Sequence, residues 1–144
     1  MTETSEHDAS LREILGRCHT IAVVGIKAGA DDDAFRVPSY MQAHGHRIVP
    51  ISPKLESVLG ERAVASLADL REPVDLVNLF RAPQHLPAHV DEILALDPLP
   101  FAVWFQLGIR HDESAARLRA AGIRVVQDAC LMVEHARLAG RGHP

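Results

Sequence analysis

Apolar runs stopped by turn residues, set between segments of helical periodicity, constrain this chain more than any other feature. Thr20-Ile21-Ala22-Val23-Val24-Gly25 is apolar without alternation, which is how a strand buried on both faces reads. Arg47 to Ile51 reads as a second strand ended by Ser52-Pro53, and Val74 to Phe80 as a third. Phe101 to Phe105 and Ile123 to Val126 read as the fourth and fifth. Between them, helical spacing links Leu11, Ile14, Leu15 and Cys18, then Val37, Tyr40, Met41 and His44 with Gly45 as C-cap. Leu86, Val90, Ile93 and Leu94 mark a further helix. Another carries Ala115, Leu118 and Ala121 between an Asp112 cap and Gly122. Leu131 to Leu138 reads as a short closing helix, and Leu55 to Arg71 as a short helix with an irregular connection. The alternation predicts an α/β fold: a single Rossmann-like doubly wound domain with a mainly parallel five-stranded sheet.

The 144 residues fit one domain, predicted over residues 10–139, with solvated, flexible tails at Met1 to Ala9 and Gly140 to Pro144. Ser10 and Glu13 have the spacing of a capping box at the head of the first helix. A net charge of -4 argues against broad nucleic-acid binding, which needs a basic face. No apolar run approaches the roughly 20 residues of a membrane span, and the acidic, polar N-terminus reverses the order of a secretory signal. Cys18 and Cys130 form no CxxC or zinc pattern, so a reducing cytoplasm is the predicted setting. These properties predict no membrane and no nucleic-acid partner. They leave a protein partner open.

In an open parallel sheet, ligands bind outside the carboxyl ends of the strands, where the winding reverses. That rule selects Gly25 to Ala34, Ser52 to Lys54, Phe80 to Pro83, Gln106 to Arg110 and Asp128 to Cys130. In Gly25-Ile26-Lys27-Ala28-Gly29-Ala30, Lys27 stands where a dinucleotide fingerprint needs its second glycine. After the second strand, Ser52-Pro53-Lys54 replaces the acid that holds an unphosphorylated ribose. A hydroxyl and an ammonium suit a phosphorylated one, as in NADP or coenzyme A. Arg36, in the first turn of the next helix, can fork onto a phosphate. Asp31, Asp32 and Asp33 crowd the same loop, where they either repel that phosphate or cap the helix and point outward.

Five blocks carry a family resemblance: Ile21 to Gly25, Phe35-Arg36-Val37, Arg47 to Lys54, Trp104 to Gly108 and Glu134 to Leu138. Together they resemble the small bacterial CoA-binding domain proteins, which in turn resemble the CoA-binding domain of the succinyl-CoA synthetase alpha subunit. The likeness runs from Leu11 to Leu138. It implies coenzyme A, a small-molecule nucleotide cofactor, as the ligand. The loop of Gly25, Ile26 and Lys27 would meet its phosphates together with Arg36, and Ser52, Pro53 and Lys54 would flank its adenosine end. Phe80, Arg81 and Pro83 would line the path after the third strand, with Gln106 and Gly108 on the pantetheine side. The chain departs from the family at Asp33-Ala34-Phe35, where proline, serine and an aromatic or histidine are usual, and at Ser52, where asparagine is usual.

No residue earns a catalytic assignment. Cys130, followed by Glu134 and His135, has the makings of a reactive thiol, but a small buried residue at a strand-to-helix junction is the simpler account. His85 and His89 have metal-pair spacing without an evident third ligand. His44 and His46 flank a turn, and Trp104 reads as core. The expected function is non-enzymatic binding of coenzyme A or an acyl-CoA, in a carrier, sensor or adaptor role. The alternatives are an NADP-type redox domain and a protein-interaction domain that has lost its ligand.

Overall fold

The structure is a computed structural model that describes the backbone of residues 2–139 and the side chains of residues 7–138. The central sheet has the order β2-β1-β5-β6-β7, and every pairing in it is parallel. Its strands are β1 (Thr20–Val24), β2 (Arg47–Ile51), β5 (Leu76–Leu79), β6 (Ala102–Phe105) and β7 (Arg124–Val126). Helices α1 (Thr2–Arg17), α2 (Asp33–Ala43) and α5 (Leu131–Ala139) belong to one layer. The other layer holds α3 (Leu86–Leu94) and α4 (Asp112–Ala120). The predicted doubly wound α/β class is what the chain adopts.

Strand alternation sorts the core into two halves. Ile21, Val23, Leu76 and Trp104 face α1, α2 and α5, where Leu11, Ile14, Val37, Met41 and Leu131 complete one cluster. Ala22, Val24, Val77, Leu79, Val103 and Phe105 face the opposite way onto Leu86, Val90, Ile93, Ala115 and Leu118. Trp104 is fully buried and donates its Nε1–H to the Ala129 carbonyl at 2.8 Å, so it is core, as expected.

Four local expectations need correction. Helix α1 begins at Thr2, so residues 2–9 are helical where a tail was expected, and Ser10 lies inside the helix rather than capping it. Asp8 explains part of that extension, because Arg137 on α5 holds its carboxylate with bonds of 3.3 and 3.0 Å. The third strand is shorter than Val74 to Phe80, since Asp75 turns its carboxylate onto the His19 and Thr20 amides, 2.9 Å each. Helix α4 is capped by His111, whose Nδ1 accepts from the Ser114 amide at 3.1 Å, rather than by Asp112. Finally, Leu55 to Arg71 holds a hairpin of β3 (Ser57–Val58) and β4 (Glu61–Arg62) and a 3-10 turn at Leu67–Asp69, with no α-helix. Residues 140–144, expected as a tail, lie outside the described residues.

Candidate functional site

The chain runs from β1 outward to β2, then crosses back to β5 on the other side of β1. The winding therefore reverses between β1 and β5, and their carboxyl ends, Gly25 and Phe80, define the crevice. The Phe80 amide donates to the Val24 carbonyl at 2.9 Å and the Gly25 amide to the Ile51 carbonyl at 3.2 Å. Gly25 has φ +83°, and a Cβ there would stand 2.5 Å from the Phe80 carbonyl oxygen and 3.2 Å from Cδ of Arg81. Glycine is required by both its torsion and its neighbours.

Beyond Gly25 the loop divides its backbone donors. Lys27 N–H is spent on the Ala34 carbonyl at 3.2 Å, and Asp32 N–H on Gly29 at 3.0 Å. Ala28, Gly29, Ala30 and Asp31 keep N–H groups with no protein partner among the described residues. Asp32 caps α2, its Oδ1 accepting from the Ala34 amide at 2.9 Å. Arg36 folds back onto this loop, with Nη1 on the Asp31 carbonyl at 2.6 Å and Nη2 on the Asp33 carboxylate. Its guanidinium is thereby half-exposed and already paired. The Ile26 side chain is buried in the core, leaving only its backbone to the site.

After β2, the Ser52 hydroxyl is buried and accepts from the Lys54 and Leu55 amides at 3.1 and 3.2 Å, a turn that throws Lys54 outward. Pro53 and Lys54 are exposed. Among the described residues, neither Lys27 nor Lys54 enters an ion pair. Pro53, Gly25 and Arg81 converge with Val24, Ile51, Ala65, Ser66, Leu67, His89 and Glu92 on a cleft of about 140 Å³. Its walls are mainly apolar. Two of its polar liners hold buried nitrogens without a partner among the described residues, Arg81 Nε and His89 Nε2.

The remaining predicted residues serve the scaffold. Gln106 is buried, its Oε1 accepting from Asn78 Nδ2 at 3.2 Å and from the Leu131 amide at 3.3 Å. It ties β5, β6 and the start of α5 together. Gly108, at φ +84°, gives its amide to Asp128 Oδ1 at 2.7 Å. Pro83 opens the 3-10 turn Pro83–His85 that leads into α3, and Phe80 packs partly buried against the α2 side of the core. A larger open groove of about 730 Å³ runs along β7 beside Ser10, Leu11 and Arg119, away from the β1–β5 crevice.

Sequence reasoning missed Ser66, His89 and Glu92 as lining residues. Their signal was hidden because His89 was paired by spacing with His85, whereas its Nδ1 lies 2.9 Å from Glu92 Oε1. Among the described residues no group of three or more His, Cys, Asp or Glu is placed to hold a metal ion. Nor is any described helix long and apolar enough to cross a membrane.

Comparison with known proteins agrees with this fold. YneT of Bacillus subtilis (strain 168), itself described as uncharacterized, is 38% identical over 128 residues, covering 89% of this chain and 93% of its own length. A Thermus thermophilus protein solved as cell-free ID.343 is 47% identical, with a TM-score of 0.86 over 91% of this chain and 98% of its own. A hypothetical protein from Pyrococcus horikoshii OT3 is 34% identical, with a TM-score of 0.87 over 92% of each chain. Residues 19–136, which hold the β1–β5 crevice and all of its loops, match the family described as CoA binding domain. The chain belongs to that CoA binding domain family.

Proposed function

We propose that this protein binds coenzyme A or an acyl-CoA at the β1–β5 crevice, without catalysing a reaction on it, as a carrier, sensor or adaptor in the cytoplasm. The observation that carries the reading is the loop after β1. Its glycine is pressed against Phe80, and Ala28 to Asp31 leave backbone donors unspent, among the described residues, next to Lys27. Such a run of N–H groups ahead of a helix suits phosphate oxygens.

The residues fit the parts of this cofactor. Lys54, held outward by the Ser52 turn, suits the phosphate on the ribose, and the apolar cleft beside Pro53 suits a flat base. Arg36 is available at small cost, because an exposed pair such as Arg36–Asp33 is worth about 0–1 kcal/mol and is exchanged readily for a phosphate. When bound, coenzyme A supplies a thiol that carries acyl groups. The chain's own part is to bind and orient it. Two engagements favour a non-enzymatic role: His135 is bonded through Nδ1 to the Tyr40 hydroxyl at 3.0 Å, and Gln106 is fixed within the scaffold.

An NADP-type reading is weakened at position 27, where a lysine stands in place of the second glycine of the dinucleotide fingerprint. Calorimetric titration with coenzyme A, with NADP and NADPH as controls, tests the proposal. Saturable binding of coenzyme A alone is the expected result. Heat from the nicotinamide cofactors only, or from none of the three, overturns it.

A further inference from the structure

The cleft beside Gly25 holds a polar pair that phosphate binding does not use. His89 Nδ1 faces Glu92 Oε1 at 2.9 Å, and a carboxylate can only accept, so the proton of the neutral ring sits on Nδ1. That places a lone pair on Nε2. Nε2 is buried and has no partner among the described residues, and the same holds for Arg81 Nε, whose N–H can only donate. Both residues line the same cleft, whose other walls are Val24, Ile51, Pro53 and Leu67. A buried polar nitrogen without a partner is destabilising, and such exceptions are rare enough to need a reason.

We propose that His89, locked by Glu92, is the specificity-determining residue of this cleft: its Nε2 accepts a hydrogen bond from the amino group of the ligand's adenine, while Arg81 Nε donates to a ring nitrogen. The proposal rests on the coenzyme A reading and deepens it, because it assigns recognition of the base to residues outside the phosphate loops. The apolar walls take the faces of a flat heterocycle, and the two nitrogens read its edge. The ribose and phosphates tether the base, so its orientation is not free to invert. A hypoxanthine in its place would present a carbonyl oxygen to the Nε2 lone pair, two acceptors facing each other. A site built to pair a polar group rejects a ligand that leaves it unpaired.

The test is a set of titrations with coenzyme A, its hypoxanthine analogue and 4′-phosphopantetheine, on the wild type and on His89→Gln. Glutamine can both donate and accept, so it serves either base. The expected result is a preference of at least about tenfold for coenzyme A over the analogue in the wild type, falling to near unity in His89→Gln. Unchanged affinity for 4′-phosphopantetheine, which lacks the nucleoside, shows that the variant is folded and the rest of the site intact. Equal affinity for the two nucleotides in the wild type, or a preference that survives in His89→Gln, overturns the assignment while leaving coenzyme A binding in place. A wild type that binds neither nucleotide ends both proposals at once. Glu92→Gln is the independent check. Its amide can donate to Nδ1 and move the ring proton to Nε2, so the preference shrinks or reverses while His89 itself is retained.

Discussion

At the scale of single residues, Gly25 shows how far a sequence can be read. A glycine ending an apolar strand marks a turn, but the reason no other residue serves is the carbonyl of Phe80, the residue just past β5 and far along the chain. Gly25→Ala combines a left-handed torsion with a clash against backbone that cannot swing away. It should cost at least about 2 kcal/mol, seen as a lowered urea midpoint with an unchanged slope. Lys54→Ala should leave stability alone, because Lys54 is exposed, and weaken coenzyme A roughly fivefold, about 1 kcal/mol for a solvent-screened charge contact. Dephospho-CoA should bind the two proteins equally. Equal losses for both ligands would place Lys54 elsewhere. The cysteines separate in the same way. Burial, with the nearby Asp75 charge adding to it, pushes the Cys18 thiol up to about 12, whereas Cys130 is only partly buried. A thiol reagent at pH 8 should modify Cys130 in the folded protein and reach Cys18 only on unfolding, which mass mapping of the labelled peptides would read directly.

At the scale of elements, legibility followed side-chain periodicity. The five strands of the central sheet were foreseen as short apolar runs stopped by turn residues, and α2 to α5 because each repeats apolar positions at the helical period. The β3–β4 hairpin was not, since its two-residue strands carry no period. Its turn hides too: Leu59 and Gly60 both have positive φ, and a leucine stands where asparagine or aspartate would announce such a turn. Gln42 on α2 secures it by donating to the Leu59 carbonyl at 2.9 Å. The packing of α5 on α2 was equally unreadable, because it brings together histidines distant in sequence. His46 and His135 have ring centroids 5.6 Å apart, and His44 stacks on Tyr40 and lies 5.3 Å from His135. Burial lowers the pKa of both His46 and His135, and the neighbouring histidines lower them further. The fold thus prefers both rings neutral. Their contribution is complete above the unfolded value near 6.5 and is lost as pH falls from there through the depressed folded values. The carboxylates held low by arginines, Asp8, Glu13 and Glu72, lose their contribution only below the usual carboxylate range, so they do not confuse this window. The urea midpoint should fall between pH 7.5 and 5.5. His135→Gln should flatten that slope, and an unaltered slope would show that the cluster stays neutral or is matched by an equal unfolded-state shift.

At the scale of the whole molecule, alternation and handedness were enough to foresee a doubly wound sheet, and with it the set of strand-end loops in which a ligand site was expected. What they could not show is which side chains from separate loops meet there. The cleft of Pro53, Ser66, Arg81, His89 and Glu92 draws on four segments that share no local pattern. That same dispersal makes ligand binding a property of the folded chain alone. Unfolding separates the Gly25 loop from Phe80, Lys54 and α3, so an unfolded chain keeps no site, and a ligand bridging them stabilises the fold by mass action. At a free concentration one hundred times its dissociation constant, the gain is about 2.7 kcal/mol. For a domain of this size each kcal/mol moves the thermal midpoint by roughly 3–5 °C, so coenzyme A should raise it by about 10 °C. 4′-Phosphopantetheine, which reaches neither the base cleft nor Lys54, should raise it distinctly less at the same concentration. If both ligands raised the midpoint equally, the base and ribose phosphate would be adding nothing, and recognition would reside in the Gly25 loop and the pantetheine path alone.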